Sequence, residues 1–230
     1  MRHTDHPCGQ CAYHSQSLWQ PVTGAALSRL VRNFNRRELP EGSRLYHQGE
    51  QSNGVYCVSR GLLAIRAFGP DGSSSLLRLA YPGEIVGYRA FLTGRPHRTE
   101  AQALVPSRVC IVAPRDARYA VNSCPAVLAR LAGRFADELD RCHERIHETA
   151  RVPNDIRLLR LFERLMAAHG SSEGGTMRMR LPISRRDLAD ILGVQPETLS
   201  RLLRRLEADG AVRISGRVVE MPEEVRDRIA

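Results

Sequence analysis

Two groups of side chains in this 230-residue sequence carry chemistry. Cys8 and Cys11 form a C-x₂-C pair, and thiolates at that spacing can hold one corner of an iron–sulfur cluster or a metal ion. Glu197, Ser200, Arg201, Arg204 and Arg205 fall on one face of a helix expected to begin at Pro196, the opposite face being Leu199, Leu202, Leu203 and Leu206. A carboxylate, a hydroxyl and guanidiniums presented by a rigid helix are the donors and acceptors that base edges and phosphates require.

The elements around that face make it specific. Ser184 is placed to N-cap a preceding short helix, with Asp187 three residues on. Leu188, Ile191 and Leu192 give that helix a buried side, and small Ala189 permits a close crossing. Gly193 supplies a turn that tolerates positive φ, Pro196 opens the second helix where no N–H is needed, and Gly210 ends it. Two amphipathic helices joined this way have the layout of a helix-turn-helix DNA reader. An ordinary helical hairpin in a core is the competing interpretation. AVRISGRVVEM, which follows, is expected to form a hairpin turning at Ser215–Gly216, the wing of a winged reader.

Composition limits the alternatives. The formal charge of +9 suits a polyanionic partner, but all 34 basic residues are arginine, which weakens the meaning of any single arginine cluster. Residues 151–230 hold 15 Arg against 12 Asp and Glu, so the excess is not concentrated in the reader. No apolar run approaches a membrane span, and the N-terminus lacks a signal peptide's apolar centre; a cytoplasmic location with no membrane partner is expected. Six cysteines in such a chain are not read as a disulfide framework. No nucleophile–base constellation or phosphate loop occurs, so no enzymatic activity is expected.

Four regions follow one another. Residues 1–22 are polar, rich in His and Cys, and without clear periodicity. Residues 23–123 begin with a short helix over 24–36 and continue from 38 to about 122 as short β-type runs punctuated by glycines, suggesting an antiparallel roll or barrel. Residues 124–150 form a long helix in which Leu128, Leu131, Phe135, Leu139, Cys142 and Ile146 recur at threes and fours as a narrow seam. That seam fits a dimerising helix, with packing inside one subunit as the competitor. Residues 151–230 hold a helix over 154–169, a loop HGSSEGG, the helix-turn-helix and the wing.

The order of β-roll, long helix, helix-turn-helix and wing resembles the CRP/FNR family of bacterial transcription factors across nearly the whole chain. GSRLYHQGE (42–50), VYCVSRGLL (55–63) and YPGEIVGYRAFLTGRPHRTEAQAL (81–104) are similar to that family's roll strands. The fold implied is α+β: an N-terminal antiparallel β-roll like a cyclic-nucleotide-binding domain, a dimerisation helix and a C-terminal winged helix-turn-helix. Cyclic-AMP-binding members carry a Glu where this chain has Tyr88, which argues against cAMP as a cofactor although Arg98 and Thr99 match the phosphate-holding positions.

PETLSRLL (196–203) is similar to the FNR branch. That resemblance implies base contacts by Glu197, Ser200 and Arg201 to double-stranded DNA, at TTGA-type half-sites arranged as an inverted repeat under a homodimer. Ser184, Arg186, Gln195 and Thr198 fall where family members touch phosphates. Arg204 and Arg205 either add electrostatic grip or are solvated helix charge. RNA polymerase is the implied partner if the protein is an activator.

AQALVPSRVC (101–110) resembles the FNR segment that carries one internal cluster ligand, at Cys110, while Cys8 and Cys11 resemble two of three N-terminal ligands. Where the third should fall the chain has Ser17, Leu18 and Trp19. His14, His6 or an Asp can complete a site; alternatively the three thiols form a dithiol–disulfide switch, bind zinc, or have no redox role, with Cys110 a buried small hydrophobe. Cys57 and Cys142 are expected to be core residues, and His143 and His147 a solvated helix face. Control by oxygen or redox state through Cys8, Cys11 and Cys110 is the expectation, with a cyclic-nucleotide-responsive or ligand-independent regulator as the alternative.

Overall fold

A computed structural model describes residues 8, 9 and 11–228. The chain divides into two compact units, one reaching to Glu138 and the other starting at Leu139.

In the first unit, alternation of side chains along short strands builds two four-stranded sheets. One runs in the order β1 (Asn35–Leu39), β8 (Ser107–Val112), β3 (Val55–Arg60), β6 (Ile85–Val86). The other runs β2 (Arg44–Tyr46), β7 (Glu100–Ala103), β4 (Leu63–Phe68), β5 (Ser74–Ala80). All pairings are antiparallel. Tyr56, Val58 and Val109 turn into the roll beside Leu39, Leu45, Tyr46, Leu63 and Val86. Val55 and Val112, one residue out of phase, turn to the outer face, as a two-residue period requires.

That outer face is covered by chain expected to be a polar tail. Leu18, Trp19 and Val22 are buried there with α1 (Gly24–Asn33), α3 (Pro114–Ser123) and the start of α4 (Pro125–Arg151). Gly83, at φ +90°, lies so close beneath this segment that a Cβ would come within 2.9 Å of the Tyr13 ring. The expected helix over 24–36 stops at Asn33, because Asn35 already pairs with Ile111 in the β1–β8 ladder. The roll also carries two helices that its strand pattern hides, α2 (Tyr88–Thr93) and α3. Asp116, buried in α3, is held by an ion pair with Arg29 and by the Asn33 amide at 3.0 Å, which locks α1 to α3.

The long helix α4 spans 27 residues. Its seam is not uniform. Leu131 is only 1% exposed and packs with Trp19 and Val127 inside the first unit, so it leaves the seam where it was expected. Leu128, Phe135, Leu139 and Ile146 remain exposed, Ile146 by 69%.

The second unit contains α5 (Asn154–His169), α6 (Arg185–Leu192), α7 (Pro196–Ala208) and a sheet in the order β11 (Arg213–Ser215), β12 (Val218–Pro222), β10 (Thr176–Arg180), β9 (Ser171–Glu173). The stretch expected to be a loop, HGSSEGG, supplies β9 and the two positive-φ glycines of a tight turn into β10. β10 is anchored by the buried side chains of Met177 and Met179.

Because Trp19 is 1% exposed at the centre of the outer-face core, Trp19→Ala is expected to destabilise the first unit by about 3–5 kcal/mol. Urea unfolding followed unit by unit checks this: the first unit's midpoint falls while that of the second is unchanged.

Candidate nucleic-acid interface

The reader is assembled by local rules. The Ser184 hydroxyl accepts from the Asp187 amide at 3.1 Å, and the Asp187 carboxylate accepts from the Ser184 amide at 3.0 Å, a reciprocal cap that satisfies two otherwise free donors of α6. Gly193 closes that helix in the left-handed region, φ 68°, and Pro196 opens α7. Leu188, Ala189 and Leu192 pack inward from α6, and Leu199, Leu203 and Leu206 from α7.

What remains outward is the proposed base-reading face. Glu197 and Arg201 are exposed and one turn apart, a spacing at which they could pair with each other; among the described residues neither makes a hydrogen bond or ion pair. Ser200, half-buried, donates its hydroxyl to the Pro196 carbonyl at 2.9 Å, which leaves the hydroxyl oxygen able to accept. Arg204 is tethered to the Ser200 carbonyl at 3.3 Å. Arg205 is drawn away by Asp155 and Asp209, both at 3.8 Å. Arg186, Gln195 and Thr198 are exposed near the same helix starts, and Ser184 is exposed although its hydroxyl is engaged in the cap. The wing strands β11 and β12 pair in register from Arg213↔Glu220 to Ser215↔Val218; the hairpin forms as expected but turns at Gly216–Arg217, one residue later than Ser215–Gly216, because Ser215 still pairs in the ladder.

The cysteines lie in the first unit. The Cys11 amide donates to the Cys8 carbonyl at 2.9 Å, so the C-x₂-C pair closes a turn. Cys8 and Cys110 are buried and Cys11 is half-buried. Burial pushes the Cys8 thiol up to about 11, against a hydrogen bond from Ser17; burial likewise raises Cys110. Cys57, expected to be a core residue, packs half-buried against the outer-face core, whereas Cys142 is exposed on α4. His14 lies in a 3-10 turn (His14–Gln16); His6 falls outside the described residues. Among the described residues no three His, Cys, Asp or Glu side chains converge closely enough to hold one metal ion.

Sequence reasoning missed two ties to α4. The Arg130 guanidinium donates to the carbonyls of Ser15 and Ser17 at 2.9 and 3.0 Å and to Gln20 Oε1 at 2.8 Å, and Arg134 donates to the Gln16 carbonyl at 2.6 Å. Tyr88 packs edge-on to Phe135 with ring centroids 5.0 Å apart and hydrogen-bonds Glu138, which also pairs with Arg78 at 3.1 Å. Burial, then the Glu138 charge, raises the Tyr88 hydroxyl, so it stays a donor. The strand alternation gives no hint of either, since both join segments distant in sequence.

The family model of a cyclic nucleotide-binding domain matches residues 36–123, and that of a Crp-like helix-turn-helix domain matches residues 156–226. The nitrogen fixation regulation protein FixK of Bradyrhizobium diazoefficiens is 28% identical over 213 residues, covering 91% of this chain and 87% of that protein. The anaerobic regulatory protein of Haemophilus influenzae is 24% identical over 219 residues, covering 92% and 85%. The solved structure of FixK2 from Bradyrhizobium japonicum shares the fold, with a TM-score of 0.69 and 24% identity over 85% of this chain and 96% of that one. A β-roll joined to a Crp-like helix-turn-helix defines a DNA-binding transcription regulator, not an enzyme. The chain belongs to the CRP/FNR family. Among its described residues no helix is long and apolar enough to cross a membrane.

Since the reciprocal cap fixes the start of α6, Ser184→Ala is expected to cost about 1 kcal/mol of second-unit stability. Chemical denaturation of the variant beside the wild type measures it.

Proposed function

We propose that this regulator binds, as a homodimer, an inverted repeat of TTGA-type half-sites, under redox control exercised through Cys8, Cys11 and Cys110. The observation that carries the DNA reading is the pair of exposed, uncommitted charges Glu197 and Arg201 on a helix whose other face is buried. Arg201 donates two hydrogen bonds to guanine O6 and N7, Glu197 accepts from cytosine N4, and Ser200 accepts from a neighbouring edge. Ser184, Arg186, Gln195 and Thr198 hold phosphates and fix the register without specifying sequence.

Dimerisation uses the exposed face of α4: Leu128, Phe135, Leu139, Cys142 and Ile146, without Leu131. Two-fold symmetry then presents two recognition helices to two half-sites. Redox control is supported by the route from the thiols to that helix, because the chain running from Cys8 and Cys11 is gripped by Arg130 and Arg134. A change at the cysteines that shifts this segment therefore acts on the dimer helix. Cyclic AMP is disfavoured as the signal because Tyr88 replaces a ribose-binding carboxylate and spends its hydroxyl on Glu138. RNA polymerase is a partner only if the protein activates.

Arg201→Ala is expected to weaken binding to a TTGA-type site by about 1–3 kcal/mol per half-site while leaving salt-dependent binding to unrelated DNA. Competition anisotropy with the guanine position varied tests this; an unchanged preference at that base would remove the assignment. Ile146→Arg places a charge on the exposed seam and is expected to shift sedimentation toward the monomer and lower site affinity at least tenfold. A variant that remains dimeric would exclude this face as the interface.

A further inference from the structure

We infer that a pocket beneath the wing of the second unit binds a small monocarboxylic acid with an apolar body, of the size and shape of phenylacetate. The site goes beyond the DNA reading and does not depend on it.

The pocket lies where the wing rests on the helices. Ile214 on β11 and Val219 on β12 stand directly opposite each other in the ladder, and opposed residues point to the same face of a sheet. With Phe162 of α5, Leu188 of α6 and Leu203 of α7 they line about 240 Å³ of open space. Phe162, Leu188, Leu203 and Val219 are buried, and Ile214 is half-buried. An apolar cavity of about 150 Å³ holds one benzene ring, so this pocket has room for a ring and a short substituent. Empty space between apolar walls forfeits dispersion contacts that a fitting ligand restores. Water is a poor substitute, because it needs polar partners. The Ser184 hydroxyl in the wall is already committed to the α6 cap, accepting from the Asp187 amide and donating to Asp187 Oδ2 at 2.8 Å.

The charged part of the lining selects an anion. Arg185 and Arg217 both line the pocket and both are exposed. Among the described residues Arg185 makes no hydrogen bond or ion pair. Arg217 donates from Nη2 to the Leu181 carbonyl at 3.0 Å and has no acid partner. Elsewhere in this unit Arg160, Arg178, Arg205 and Arg226 are each paired with a carboxylate. The nearest acid in sequence, Asp187, caps its own helix. A carboxylate carried by a ligand therefore meets guanidinium donors that the unit leaves open, and such charge-assisted bonds are the strong ones. The two halves of the lining together set the ligand class. A neutral arene leaves the guanidiniums unanswered, and a bare anion leaves the apolar walls empty.

The test titrates phenylacetate, phenylacetamide and acetate separately into the full chain carrying ¹³C-labelled Ile, Leu and Val methyl groups. Phenylacetate is expected to shift the Ile214, Leu203 and Val219 methyls saturably, with a Kd of about 1 mM or tighter. Phenylacetamide lacks the charge and acetate lacks the ring; both are expected to bind at least tenfold more weakly. The double variant Arg185→Gln, Arg217→Gln is expected to lose the preference for phenylacetate over phenylacetamide, and Ile214→Phe, which fills the pocket, to lose binding of all three. Methyl shifts confined to the first unit overturn the site. Equal affinity for phenylacetate and acetate overturns it too, since guanidiniums that serve phosphate alone do not distinguish the two. A preference for the acid that survives in the double variant overturns the role of the two arginines.

If Ile214→Phe does not fold, Overhauser contacts in the wild type decide. Cross-peaks from the phenyl ring to the Ile214 and Leu203 methyls support the pocket, and their absence at saturating phenylacetate overturns it.

Discussion

The structure depends on α4 carrying two apolar faces at once. Val127 and Leu131 point into the first unit's core, where they meet Trp19 and α3. Leu128, Phe135, Leu139 and Ile146 point out, Leu139 being 55% exposed. A helix with one such stripe is anchored by its own unit; a second stripe in water is an unfavourable surface unless another helix covers it. In the proposed dimer one 27-residue helix therefore carries both the packing of the roll's outer face and the contact with the partner.

Phe135 belongs to both faces. Its ring meets the edge of Tyr88, and one turn of helix further on Glu138 takes the Tyr88 hydroxyl and the Arg78 guanidinium. Arg130 and Arg134 grip the opposite flank through backbone carbonyls of residues 15–17. Hydrogen bonds from a charged donor are about twice as strong as neutral ones. The N-terminal segment and α4 consequently move as a pair or must break several such bonds. In the proposed redox reading this tie would be the mechanical link between the thiols and the helix; inside the roll, Tyr46 stacks on His97 with ring centroids 3.8 Å apart and lies beside Tyr56.

The helix-turn-helix was legible because every signal that defines it is local. Ser184 with Asp187, Gly193, Pro196 and the two leucine stripes lie within one short stretch and agree with one another. The same period that found the α4 seam could not say which side each leucine takes: Leu128 and Leu131 are both apolar, and only the surrounding fold turns one out and the other in. Trp19 was hidden because its partners lie on α1, α3 and α4, and no pattern in residues 1–22 points to them. Cys57 was read as a core residue, and it packs against the outer-face core. Its opposition to Cys110 was hidden, being a matter of strand register between segments some fifty residues apart, which composition and spacing do not encode.

The charge distribution bears on how selective the reader can be. Residues 151–230 carry 15 arginines against 12 acids, a small excess for a domain that approaches a polyanion. Arg205 is partly neutralised by Asp155 and Asp209, Arg178 by Glu220, and Arg226 by Glu163. Non-specific affinity rises with the number of phosphates neutralised and falls steeply with salt. Each guanidinium held by an acid in this way contributes less to such sequence-independent binding. The free-energy gap between the right site and a wrong one must then come from the side chains that reach base edges. In the proposed base-reading face, Glu197 would sharpen that gap from the repulsive side, because a carboxylate in the major groove is unfavourable wherever no cytosine amino group meets it.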